Sequence, residues 1–195
     1  MPEKFFDGGL LPGGPLAIGI DQSLTGFAVT VLNVDRPECY ETWVYKSPYS
    51  GVKRLNDIRF WLSEKLMGLA FGGHSFHDVA MEAAILASPT SLMLGELAGT
   101  VKLALWDLFE DSPNELCRTP LQIPPMTLKK YAAGKGNAKK QEMLLQIYKR
   151  WGIEFNDDNA ADSYALARLA SGNAEGAIES QIIEQIKDLK YRDTL

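Results

Sequence analysis

The 195-residue chain has only two cysteines, Cys39 and Cys117, and only two histidines, His74 and His77. Cysteines so few and so far apart build no disulfide framework, and without a CxxC spacing they argue against a zinc site. Reduced thiols of this kind fit a cytoplasmic protein. No window approaches 18 consecutive apolar residues, so no membrane-spanning helix is expected. Met1 to Pro15 carries Glu3, Lys4 and Asp7 and then turns rich in Gly and Pro, so it lacks the apolar core of a signal peptide. Internal repeats and low-complexity tracts are also missing.

The hydrophobic share of 46% and charged share of 23% are those of a globular protein, which sets disorder aside. The length fits one domain that buries roughly two-thirds of its unfolded surface. A net charge of −5 argues at first against nucleic acid, yet the average hides an asymmetry. Between Thr127 and Trp151 stand seven basic residues, Lys129, Lys130, Lys135, Lys139, Lys140, Lys149 and Arg150, against the single acid Glu142. A local basic strip is the footprint of a phosphate-binding face. It is equally the composition of a solvated helix surface, and charge alone does not choose between them.

The apolar runs LAIGI and GFAVTVL within Leu16–Leu32 read as a β-hairpin, and the alternating YETWVY of Tyr40–Tyr45 as a third strand. Leu55, Ile58, Leu62 and Leu66 then give a helical period from Val52 to Leu69. Phe71 to Phe76 reads as a loop, Asp78–Glu82 as a short apolar strand, and Ala83 to Ser91 as a small-residue loop before a helix from Leu92 to Phe109. Prolines mark a connection with a strand near Thr119–Ile123, a basic loop and helix run from Thr127 to Trp151, and a core helix runs from about Asp157 to Leu169. The expected fold is a single α/β domain with a mixed five-stranded sheet flanked by helices. Residues 1–15 read as an N-terminal extension, 16–171 as the main domain, and 172–195 as an amphipathic terminal helix.

Acids in three segments stand out. Asp21 closes the buried run LAIGI, where a carboxylate needs a partner such as a cation unless it merely caps the following turn. Glu82 closes a second apolar strand in the same way, or else turns to solvent. On adjacent strands the two would lie about 5–10 Å apart, a sparse oxygen cluster of the kind that holds Mg²⁺. In FNDDNAADSYALARLA, Asp158 and Asp162 are one helical turn apart on one face, Asp157 serves best as the N-cap, and small residues allow close approach to the sheet. Gly134-Lys135-Gly136-Asn137-Ala138-Lys139-Lys140 is a glycine-flanked basic turn opening a helix, able to hold a phosphate. It lacks the GxxxxGK[ST] spacing, so no nucleotide cofactor is expected.

Four segments together resemble the RuvC family of Holliday junction resolvases, in particular its phage and poxvirus-like members. They are GIDQSLTGFAV, VAMEAAILAS with the following LGELAGTVKLAL, PMTLKKYAAGKGNAKK and DDNAADSYALA, in the family's order and covering roughly Leu16 to Ala170. The resemblance implies an RNase H-like fold, a homodimer, and Mg²⁺- or Mn²⁺-dependent cleavage of branched DNA. Asp21 is then similar to the first-strand metal ligand, Glu82 to the second acid and Asp162 to the final helix carboxylate. The bacterial pattern places its remaining acid where this chain has Asn159, so that role is assigned to Asp158. Lys129 and Lys140 fall where the family contacts the scissile region, with Lys130, Lys135, Asn137 and Lys139 as further DNA contacts. The position of the bacterial aromatic wedge falls in the aliphatic Ala84-Ile85-Leu86. The implied reaction is in-line attack of water with two ions about 4 Å apart, leaving 5′-phosphate ends. Rival readings are a less selective fork and flap nuclease and a non-catalytic junction-binding protein. A sugar-kinase or actin-like ATPase is disfavoured because 195 residues leave no room for its second domain.

Overall fold

The computed structural model describes residues 3–9, 11–83, 90–112 and 114–192. The strands are β1 (Glu3–Asp7), β2 (Pro15–Asp21), β3 (Phe27–Asn33), β4 (Tyr40–Tyr45), β5 (Ser75–Glu82) and β6 (Leu121–Ile123). The helices are α1 (Gly51–Phe71), α2 (Ser91–Leu108), α3 (Pro125–Ala133), α4 (Lys140–Trp151), α5 (Asp158–Ala170) and α6 (Ala177–Ile186). All six strands form one sheet in the order β1-β4-β3-β2-β5-β6. The first four pair antiparallel, while β2–β5 and β5–β6 are parallel.

Alternation along the strands divides the core in two. Ile18, Ile20, Val29, Val31, Val79 and Met81 face α1 and α2, meeting Ile58, Leu62, Leu66, Leu97 and Val101. Ala17, Ala28, Leu32 and Ala80 face the other way, toward α3, α4, α5 and α6. This second face is lined by small residues because α5 lies directly across β2, β3 and β5. A β-carbon added at Gly19 would stand 2.0 Å from the main-chain oxygen of Ser163, so only glycine admits the helix at this distance. Inside the same interface Thr30 hydrogen-bonds Thr42 at 2.7 Å and Ser163 at 2.8 Å. These buried hydroxyls satisfy one another and fix the helix against β3 and β4.

The sheet has six strands rather than the expected five. The additional one, β1, comes from the segment before Pro15, where EKFFD shows no clean polar-apolar alternation and gave no strand signal. It is an edge strand held by side-chain anchors of opposite charge. Glu3 pairs with Lys65 of α1 at 2.8 Å and accepts a bond from Trp61 at 3.1 Å. Lys4 pairs with Asp157 at 2.8 Å. The Phe71–Phe76 loop is shorter than expected, because β5 begins at Ser75. The basic run from Thr127 to Trp151 divides into two helices around a turn, where Gly134 adopts φ +77° and returns its N–H to Lys130. The terminal helix is confined to Ala177–Ile186 and is followed by a 3₁₀ turn at Leu189–Tyr191. Among the described residues no helix is long and apolar enough to cross a membrane.

Candidate active site

Asp21 and Glu82 are the last residues of β2 and β5. The parallel register pairs Ile20 with Met81, which sets the two acids side by side. Strand parity places both on the face covered by α5, since Ala17 and Ala80 lie there. The N-terminus of α5 reaches the same strand ends. Asp157 is its N-cap, accepting bonds from the main-chain nitrogens of Asn159 and Ala160 at 3.1 and 3.4 Å, as expected of an aspartate in that role. Asp158 and Asp162 then project from one helical face. All four acids line one pocket of about 500 Å³ together with Gln22, Lys129, Lys140 and Asn159.

The electrostatics are those of crowded anions. Asp21 is 5% exposed, and burial first, then Glu82 and Asp162, hold its carboxyl well above the usual range. Asp21 and Glu82 share a hydrogen bond, and burial raises Glu82 as well. Asp162 is pushed up to about 7, chiefly by burial and then by Glu82 and Asp158, with Lys129 and Lys140 opposing. Asp158 is the outermost of the four and is paired with Lys140, whose ammonium is raised by that contact.

The donor set fits a hard divalent cation. It consists of four carboxylates and the side-chain amides of Gln22 and Asn159, and neither His nor Cys lines the pocket among its described residues. In the structure as it stands no three acidic, His or Cys side chains among the described residues are arranged to hold an ion.

This has a consequence for stability without metal. A carboxyl raised from about 3.9 unfolded to about 7 folded favours the folded state fully below pH 4. That contribution is lost as pH rises toward 7. Thermal melts in EDTA are therefore expected to show a higher Tm at pH 6 than at pH 8. Asp162→Asn should melt above the wild type at pH 8 and approach it near pH 5; parallel pH profiles for the two proteins would contradict the assignment.

The expected basic face is only partly assembled. Lys129 and Lys140 reach the pocket. Lys130, Lys135, Asn137 and Lys139 are exposed on α3 and the turn leading into α4, outside the pocket wall, and Lys135 pairs with Glu142 at 2.6 Å. Arg150 is turned inward instead. It donates to the main-chain oxygens of Tyr131 and Ala132 at 2.7 and 2.9 Å and pairs with the buried Glu179. It caps α3 and ties α6 in place, while Lys149 lies at the far end of α4 from Lys140. Asn159 also lines the pocket, with its amide nitrogen 2.7 Å from where a β-carbon on Gly26 would stand. The Ala84-Ile85-Leu86 position lies outside the described residues. Gln22 went unnoticed in the sequence, since nothing in a single Gln after an Asp announces a buried side chain.

Sheet order, strand directions and a helix packed across the strand ends are those of the RNase H-like fold. No protein-family model matches the chain. It is 27% identical over 164 residues to the crossover junction endodeoxyribonuclease RuvC of Campylobacter curvus, covering 80% of this chain and 96% of that protein. The enzyme of the same name from a Nitratiruptor species is 29% identical over 143 residues, covering 70% and 82%. Among solved structures, RuvC of Thermus thermophilus in complex with a Holliday junction substrate superposes with a TM-score of 0.60 at 21% identity, covering 79% of this chain and 91% of that one. A second Thermus thermophilus RuvC structure gives 0.57 at 22% identity, covering 78% and 90%. The chain is thus similar in sequence to RuvC proteins and shares the fold of the RuvC structures.

Proposed function

We propose that the chain is a crossover junction endodeoxyribonuclease that hydrolyses phosphodiester bonds in four-way and related branched DNA. The observation that carries this reading is the convergence of Asp21, Glu82, Asp158 and Asp162, from two strands and one helix, on a pocket bordered by Lys129 and Lys140. The RuvC relatives supply the substrate class.

Mg²⁺ or Mn²⁺, as two ions held by the four carboxylates, would neutralise the scissile phosphate and lower the pKa of the attacking water. The chain's own residues do the rest. Asp21 and Glu82, fixed by strand register, define the floor on which a phosphate can sit. Lys140, beside Asp158, and Lys129 bring positive charge to the anionic transition state. Water attacks in line with the 3′ oxygen, leaving 5′-phosphate and 3′-hydroxyl ends. The exposed Lys130, Lys135, Asn137 and Lys139 extend the positive surface along the DNA backbone.

A homodimer would present two such sites to a two-fold symmetric junction. The outward side of α2 carries Leu92, Leu103 and Trp106, which are 77%, 62% and 49% exposed, and a second copy would bury them.

Cleavage of four-way, three-way and linear duplex DNA in Mg²⁺ tests the substrate: preference for the branched forms is expected, and equal rates on linear DNA would sink the resolvase reading. The lysines separate by role. Lys140→Ala is expected to slow cleavage roughly 10- to 100-fold with modest change in affinity, because its charge acts in the transition state. Lys130→Ala should weaken binding and reduce the salt slope by about 1 while leaving the bound-state rate alone. Single-turnover cleavage beside a salt titration of binding measures both.

A further inference from the structure

Gln22 follows Asp21 and lines the same pocket, yet it is only 6% exposed. Its amide nitrogen donates to the main-chain oxygen of Glu82 at 2.6 Å, which fixes the orientation of the group, because only the nitrogen can face a carbonyl. The amide oxygen is thereby committed to the opposite direction. It is buried and has no hydrogen-bond partner among the described residues. Buried acceptors are nearly always satisfied, and one left unmet at an active site calls for a missing donor or cation. It shares the pocket with Asp21, Glu82, Asp158 and Asp162, four further acceptor side chains.

We propose that Gln22 supplies a neutral oxygen to the cation site, its amide oxygen meeting the divalent ion directly or through one water. The inference rests on the metal-dependent nuclease reading and adds a residue to it. The same side chain then does two things. Its nitrogen ties the end of β2 to the end of β5, holding Asp21 beside Glu82. Its oxygen completes the donor set without adding a fifth negative charge, which matters where four carboxylates already repel one another. An amide oxygen is a hard donor suited to Mg²⁺ and Mn²⁺.

The test is isothermal titration calorimetry of the full chain with MnCl₂ in the absence of DNA, with melting temperatures recorded to establish folding. Gln22→Met preserves length and removes both polar atoms; it is expected to weaken Mn²⁺ binding about tenfold, the scale seen when a partner of a metal site is removed. Gln22→Glu keeps an oxygen but cannot donate to Glu82, and it should bind Mn²⁺ at least as tightly as the wild type. Mn²⁺ affinity within twofold of wild type in Gln22→Met overturns the proposal. So does a Gln22→Glu protein as weak as Gln22→Met, which would assign the whole effect to the tie between strands. If Gln22→Met does not fold, the Gln22→Glu arm still decides. Asp21→Asn is the control: if it binds Mn²⁺ like the wild type, the metal-site reading itself has failed, whereas loss there with no loss in Gln22→Met removes only the role of Gln22.

Discussion

Asp21→Asn is expected to abolish cleavage of a four-way junction while leaving its binding intact. The substitution preserves volume and a hydrogen-bonding oxygen but removes the carboxylate at the centre of the pocket, the one flanked by Glu82, Asp162 and Asp158 together. Cation binding would lose its central ligand, and the transition state a few kcal/mol of charge stabilisation. At about 1.4 kcal/mol per tenfold, the rate should fall roughly a thousandfold or more. Junction affinity should stay within about twofold, because phosphate contacts come from the exposed lysines rather than from buried acids. The protein should not be destabilised, since the charge removed is one that burial and its neighbours disfavour. Gel-shift and cleavage assays on one substrate read the two outcomes separately. Unchanged cleavage would return the chain to the class of binding proteins, whereas loss of binding together with cleavage would mean that the acid shapes the DNA surface.

The second large effect concerns a residue with no side chain. In Gly19→Ala the added methyl would meet α5 main-chain atoms, at 2.0 Å from the Ser163 oxygen and 2.2 Å from the Ala167 nitrogen. Flexible side-chain ends can move aside; a packed helix backbone cannot. The cost is expected to be about 3 kcal/mol or more, at the upper end of overpacking. Because α5 carries Asp158 and Asp162, any shift that relieves the contact also pulls those acids from Asp21 and Glu82, and a displacement of about 1 Å is enough to cost about 100-fold in rate. Stability and cleavage should therefore fall together. Gly68→Ala gives the opposite result: it sits on the exposed side of α1 with nothing within 4 Å of the added methyl. There the change should stabilise by about 0.5–1 kcal/mol, as a glycine replaced inside a helix does. Chemical denaturation of both variants measures the contrast.

The acids were legible because each obeys a local rule. Asp21 and Glu82 break an apolar run at its end, and Asp158 and Asp162 repeat at helical spacing. Most strands and helices were legible for the same reason, their hydrophobic period being plain. What escaped depended on distant partners. β1 is held by Trp61, Lys65 and Asp157, far along the chain, and five residues with three charges carry no strand pattern of their own. The burial of Gln22 follows from parallel pairing of β2 with β5, a register that no single segment encodes. The basic run looked like one surface because composition cannot distinguish Lys140 at the pocket from Arg150, whose guanidinium caps the end of α3.

The contact between Thr30 and Ser163 joins residues 133 positions apart, and it bears on biosynthesis. A chain emerging from the ribosome presents Asp21 and Glu82 long before α5 exists, and a nascent sheet lacking that layer has half of its acids. On the proposed reading, cutting power arrives only once α5 has been made and has docked on the sheet. A product truncated before Asp158 would keep the first two acids and lack the other two.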